Sequence, residues 1–213
     1  MKTLTLTILA LLLISASSFA VPTLQLYSPD AVYNSATESW QIFASDFELW
    51  VVAANLQKND IYNITLVAAL AQDDTPADGA LTIDGNTFNA ADFEYGTPPD
   101  VDPLPPHGVY PTNYAEFLVA SVTTAGPFVE VPDYSPDVAP GSSLYGQVFK
   151  FNVTTSYEFV QFDAYGFEGA PDGKRIKAPF SHDAHTGAVP EPTTLALFGL
   201  GLAAAGFMRK KRG

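Results

Sequence analysis

The last 25 residues, VPEPTTLALFGLGLAAAGFMRKKRG, place the tightest limit on what this chain can fold into. Sixteen residues from Thr193 to Met208 carry no charge. As a helix they rise about 24 Å, at the short end of what spans a bilayer. Pro190 and Pro192 cannot continue a helix upstream, so they mark a break outside the membrane. Arg209, Lys210, Lys211 and Arg212 close the stretch, and four adjacent cations hold that end in the cytoplasm. A core helix is the plainer reading, but core helices rarely end in four consecutive cations. Gly199, Gly201 and Gly206 suit close helix packing; no strand precedes them, so they make no nucleotide fingerprint. The water-soluble fold must therefore be built upstream of Pro190.

The beginning of the chain mirrors its end. Lys2, the apolar run Leu4 to Ile14 and the small-x-small triplet Ser18-Phe19-Ala20 read as a secretory signal cleaved after Ala20. The expected organisation is a signal peptide over residues 1–20 and an ectodomain over 21–186. A linker holding Pro190, Glu191 and Pro192 follows over 187–192, then a membrane segment over 193–208 and a basic tail over 209–213. Between Val21 and Val189 stand 22 acidic residues against five basic ones (Lys58, Lys150, Lys174, Arg175 and Lys177), a formal charge of 5 − 22 = −17. Such a field repels nucleic acid and anionic membrane surfaces, which excludes both as partners of the ectodomain. The chain has no cysteine, so an exported domain must be stabilised by burial, without disulfides, thiolate metal sites or thiol nucleophiles.

The ectodomain reads as short strands. Trp40, Ile42 and Ala44 alternate with polar neighbours, and Phe47, Leu49 and Val51 continue after a break at Ser45-Asp46. A helix is the rival there, because Ser45 and Glu48 match a capping box. The next run, Ile61 to Leu70, is short, β-branched and bounded by turn residues. Asp73 to Gly79 is a turn region, and Asp84-Gly85-Asn86 a hairpin turn. Later strands are expected over Tyr114–Thr124, Phe128–Val131, Leu144–Thr154 and Tyr157–Gly166. Thr155-Ser156 is read as a hairpin turn between the last two, with Val160, Phe162 and Ala164 on one face. The fold class is all-β, an antiparallel β-sandwich of jelly-roll or Ig-like type. Thr97 to Pro111, TPPDVDPLPPHGVYP, holds six prolines in fifteen residues and cannot be an interior strand. It is expected as a rigid surface segment crossing an end of the sandwich.

Two resemblances add to this reading. The Pro-Glu-Pro triplet, apolar span and basic end resemble a PEP-CTERM sorting domain, which implies recognition by an exosortase, a membrane-embedded cysteine protease. The stretches EYGTPPDVDPLPPHGVYPTNYAEF, FDAYGF and APFSHDAH, with LQLYSPDAVYNSATESWQI and FELWV, resemble the choice-of-anchor N family of bacterial exported proteins. That resemblance implies a surface protein whose members share an ectodomain but differ in anchor, and it brings no catalytic residues. Signal peptidase and exosortase are the implied partners in export, with exopolysaccharide in the matrix and the inner membrane as an intermediate station.

The candidate chemistry is sparse. His182, Asp183 and His185 form an H-D-x-H cluster which, with His107 and Asp163, has the imidazole and carboxylate donors of a metal site. The plainer reading makes the two later histidines loop residues near the linker. Asp73 and Asp74, Asp100 and Asp102, and Asp133 and Asp137 offer calcium ligands, although turn chemistry explains most of them. Trp40, Trp50, Tyr95, Tyr110, Tyr114 and Tyr165 would stack on sugars if exposed, and core packing is the expected fate of most. No nucleophile-elbow motif is present, and among 22 acids no catalytic pair stands out. The expectation is a non-catalytic ectodomain without a cofactor, calcium being the one ion its loops suit. A calcium-dependent carbohydrate-binding module and a metal-dependent surface hydrolase are the alternatives.

Overall fold

The computed structural model describes residues 24–35, 37–54, 59–99, 103–104, 108–123, 126, 128–132, 143–179 and 183–187. The expected signal peptide, membrane segment and basic tail lie outside these residues. Among the described residues no helix is long and apolar enough to cross a membrane.

The fold is all-β and has two sheets. The first has the order β1 (Leu24–Tyr27), β4 (Asp46–Ala54), β11 (Ser143–Thr155), β6 (Leu81–Ile83) and β7 (Asn86–Phe88), with β10 (Val129–Pro132) also on β11. The second runs β2 (Ala31–Asn34), β3 (Ser39–Ile42), β14 (Ala184–Thr186), β12 (Val160–Glu168), β5 (Ile61–Leu70), β9 (Thr112–Val122) and β8 (Glu94–Gly96), with β13 (Lys174–Lys177) also on β12. One ladder, β14 on β3, is parallel, so the second sheet is mixed where a purely antiparallel one was expected.

Alternation explains the core. Phe47, Leu49, Val51 and Ala53 of β4 face Leu66, Ala68 and Leu70 of β5 and Phe162 and Ala164 of β12 across one shared apolar layer. Phe47 meets Phe162 edge to face at 5.9 Å, and Phe117 meets Phe151 at 5.4 Å, each pair joining the two sheets. The Phe47 segment is thus strand, because its apolar period of two matches a sheet with one face on this layer. At the tip of the β6–β7 hairpin, Asp84 (φ 48°) and Gly85 (φ 77°) are both left-handed, the geometry of a two-residue turn whose twist matches its strands.

Two expectations are corrected. Thr155-Ser156 does not close a hairpin: β11 lies in the first sheet and β12 in the second. Both edges of β11 are already occupied, one by β4 and the other by β10 and β6, so the chain must leave that sheet. The proline-rich segment does not cross an end of the sandwich either. β8 pairs with β9 through Gly96 and Thr112, which makes residues 97–111 the connection of a hairpin. Leu104, Val109 and Tyr110 of that connection are buried against Val67, Ala69, Tyr114, Phe159 and Tyr165, on the outer face of the second sheet.

Candidate functional site

The outer face of β12 carries Gln161, Asp163, Tyr165 and Phe167, since Val160, Phe162 and Ala164 point into the shared core. Antiparallel register then selects their neighbours. Gln161 stands opposite His185 and Phe162 opposite Ala184, so the residue facing Asp163 is Asp183. On the other side of β12, Asp163 pairs with Val67, and Val67 pairs with Glu116 of β9. Two aspartates thus meet on neighbouring chain segments. Like charges so placed repel, and this pair is buried as well, with Asp163 1 % and Asp183 0 % exposed.

Keeping one carboxyl protonated resolves the conflict. Burial, then the charge of Asp163, raise the Asp183 carboxyl well above the usual aspartate value, which favours its protonated form. Tyr110 reaches down from the proline-rich connection, and its hydroxyl donates to Asp163 Oδ2 at 2.8 Å. Burial first, and then the Asp163 charge, push that phenol well above its ordinary value, which leaves it a donor at any physiological pH. The outcome is Tyr110 bonded to Asp163, with Asp183 beside it, inside an apolar surround.

Several groups frame it. His185 is wholly buried, stacks on Phe159 at 5.6 Å and places Nδ1 3.4 Å from the Thr186 carbonyl. Burial lowers its pKa below 6.5, so the imidazole is neutral, and Nε2 has no hydrogen-bond partner among the described residues. Tyr165 donates to Glu116 Oε1 at 2.9 Å, and burial, followed by that carboxylate, pushes its phenol up to about 12. Arg175 lies over the rings of Phe167 and Tyr165 at 5.3 and 5.9 Å. The connection itself is held by Lys177 Nζ donating to the Pro103 carbonyl at 2.7 Å and by Leu104 N–H donating to the Pro98 carbonyl at 2.8 Å. Thr112 Oγ1, at its exit, donates to the Leu70 carbonyl at 2.9 Å.

Of the five metal candidates, the structure brings Asp163 and Asp183 together and places His185 on β14, one strand from Gln161; His107 and His182 lie outside the described residues. His185 is therefore a strand residue, not part of a loop. Among the described residues no group of three or more His, Asp or Glu side chains is arranged to hold a metal. Of the calcium candidates, Asp73 and Asp74 sit in the turn before β6, where Asp74 N–H donates to the Ala71 carbonyl at 3.0 Å; Asp100, Asp102, Asp133 and Asp137 lie outside the described residues. Of the aromatic candidates, Tyr110, Tyr114 and Tyr165 are buried, Trp40 and Trp50 half-buried, and Tyr95 is exposed. What residue types alone missed is the hydroxyl of Tyr110: a ring in a proline-rich stretch carries no mark of the carboxylate beneath it.

The last strand determines where the fold hands over to the tail. Val160 N–H donates to Thr186 Oγ1 at 2.8 Å, Gly187 N–H to the Ile42 carbonyl at 3.0 Å, and Gln41 Nε2 to the Gly187 carbonyl at 2.7 Å. Gly187 has φ 64°, and a Cβ there would lie 2.1 Å from the Glu158 carbonyl oxygen, so only glycine fits.

No curated protein matches the chain. Among solved structures it is similar to AvmM, which catalyses macrocyclization in alchivemycin A biosynthesis, at 11 % identity and a TM-score of 0.35 over 79 % of this chain and 91 % of that one. It is also similar to the C-terminal domain of the Streptococcus agalactiae AgI/II polypeptide BspA (11 %, TM-score 0.29, 78 % of this chain and 50 % of that one). The enterotoxigenic E. coli adhesin CfaE gives 8 % identity and a TM-score of 0.32 over 79 % of this chain and 49 % of that one. Likeness at this level carries no argument about activity. The family comparison is specific: residues 188–212 match the PEP-CTERM protein-sorting motif, which implies export to the cell envelope and surface and processing by an exosortase.

Proposed function

We propose that this chain is a surface or extracellular-matrix protein of the choice-of-anchor N type, delivered by its signal peptide and sorted by an exosortase through its tail. Residues 1–20 are the signal peptide, 21–186 a non-catalytic β-sandwich ectodomain and 187–192 the linker. Residues 193–208 hold the intermediate in the inner membrane, and 209–213 stay in the cytoplasm. Pro190, Glu191 and Pro192 are the recognition element. The observation that carries this reading is the sorting motif at residues 188–212, beginning one residue after Gly187, which is still hydrogen-bonded to β3. A formal charge of −17 directs the ectodomain away from polyanions, so contact with an acidic exopolysaccharide would run through bridging divalent cations.

The test is expression of the full chain in a host with an exosortase and in the same host without it. Intact mass then reports the mature C-terminus, and fractionation reports location. Loss of the tail near Pro190 only with the enzyme present is the expected result. A tail retained in both strains would make residues 193–208 a permanent anchor and overturn the sorting reading.

A further inference from the structure

Gly187 is the last residue before the sorting motif, and the fold holds it in place. We propose that the end of the sandwich around Gly187, with Phe43 as its apolar contact, is a docking surface for the exosortase that processes the tail. This rests on the reading of residues 188–212 as a sorting signal recognised at Pro190, Glu191 and Pro192.

The constraint is one of reach. β14 runs between β3 and β12, so its exit is held from both sides. Thr186 Oγ1 accepts from Val160 N–H, Gly187 N–H donates to the Ile42 carbonyl, and Gln41 Nε2 donates to the Gly187 carbonyl. Glu158 closes a further side, since a Cβ on Gly187 would overlap its carbonyl oxygen. Gly187 is therefore a fixed point of the fold. Only Ala188 and Val189 separate it from Pro190. Three Cα–Cα steps of about 3.8 Å reach at most about 11 Å, the thickness of one packed helix. An enzyme that grips the triplet must touch this end of the ectodomain while it does so.

The surface there follows from the same ladder. Ile42, which accepts from Gly187, points into the core, so Phe43 beside it points out and is 71 % exposed. Its segment is pinned, because Thr155 N–H donates to the Ser45 carbonyl at 2.9 Å. The charged side chains described around this end, Asp30, Asp46, Asp74, Asp78 and Glu158, are acidic. Lys174, Arg175 and Lys177 pair with the opposite end of β12. Such a rim repels an anionic bilayer surface, and it tolerates an apolar protein surface with neutral or basic flanks. One exposed ring is ordinary on a protein surface. Placed beside the origin of the tail, where a partner has to come, the same ring is an anchor.

The test uses the full chain in a host carrying the exosortase. The photo-crosslinking residue p-benzoylphenylalanine replaces Phe43 and is irradiated beside an exosortase whose catalytic cysteine has been replaced, so that the complex is not consumed. The expected result is an adduct holding both chains. The same probe at Tyr145, exposed at the end of β11 far from Thr155, is expected to give none. With the active enzyme, Phe43→Ser is expected to slow loss of the tail about fivefold or more, followed by intact mass. Phe43→Leu should keep the parent rate, and so should Tyr145→Ser. Both positions are exposed, so these variants leave the core intact. An adduct to lipid alone, or no adduct at position 43, overturns the docking surface. So does a Phe43→Ser chain processed at the parent rate, and so does an equal slowing in Tyr145→Ser. In each of these outcomes the parent still loses its tail and the sorting reading stands, whereas a parent that keeps its tail overturns both.

Discussion

The two faces of the second sheet are both buried, and they are buried on different terms. The inner face meets another sheet: Leu66, Ala68, Phe162 and Ala164 interlock with Phe47, Leu49 and Val51, side chains without a polar group to satisfy. The outer face meets an irregular segment, and there lie a carboxyl pair, the phenols of Tyr110, Tyr114 and Tyr165 and an imidazole. The inner face is a packing problem, solved by shape and area. The outer face is a protonation problem, and its stability depends on solution conditions in a way the inner face cannot. β5 joins the two, which is why Leu66 to Leu70 is apolar at every position.

The comparison predicts a ranking. The largest loss belongs to the inner face: Phe162→Ala removes a fully buried ring from the sheet-to-sheet contact and is expected to cost about 3–5 kcal/mol in chemical denaturation, at every pH. Tyr110→Phe deletes one hydroxyl from the outer face and leaves Asp163 short of a donor; the expected cost is about 1.5–3 kcal/mol. A loss for Tyr110→Phe as large as that for Phe162→Ala would erase the distinction between the faces.

The sign of the pH dependence sharpens it. Asp183 has a raised pKa in the native state, so the fold retains this proton where the unfolded chain has released it. Stability therefore falls as pH rises from about 3.8, the ordinary value, up to the native value of Asp183, and is level in this respect above it. His185, lowered below 6.5, acts in the opposite sense: its contribution is complete above 6.5 and is lost as pH falls through its native value. Unfolding curves of the parent and Asp183→Asn across this range separate the two. The difference between them should decline on going alkaline, and a difference independent of pH would show that Asp183 does not carry the proton.

What the sequence made legible follows this same division. The inner face could be read from period-two alternation at Phe47, Leu49 and Val51 and at Val160, Phe162 and Ala164, because a sheet contact writes itself into local order. The hairpin at Asp84-Gly85 was legible for the same local reason. The Asp163–Asp183 pair was not, because what brings them together is the register of β14 on β12, and register is a property of two segments twenty residues apart. Both residues stood among the metal candidates on residue type alone; type could show that a carboxylate was there, not that its partner was another carboxylate. The assignment of Thr155-Ser156 to a hairpin turn failed for a related reason, since a tight turn looks alike whether it closes a hairpin or carries the chain to the other sheet. One signal went unused. The doubly apolar end of β5 already implied that something covers the outer face, and the nearby segment with the apolar residues to do so was the proline-rich one.

The smallest expected effect lies on the remaining face, the outer side of the first sheet, where Lys150 Nζ sits 3.8 Å from the Trp50 ring centroid and 3.8 Å from Glu48 Oε1. The Trp50 indole also donates to Glu48, so this face too has a polar group bonded across an aromatic ring. It differs in solvent. The Lys150 and Glu48 side chains are 51 % and 38 % exposed, so water competes for both charges and salt screens what is left. A double-mutant cycle on Lys150→Ala and Trp50→Leu is expected to give a coupling of at most about 1 kcal/mol. That coupling should shrink as salt is raised, whereas the Tyr110–Asp163 coupling should not, because salt does not reach a buried pair. A coupling at Lys150 that is large and indifferent to salt would place this face, too, out of contact with water, and burial would then no longer distinguish the two outer faces.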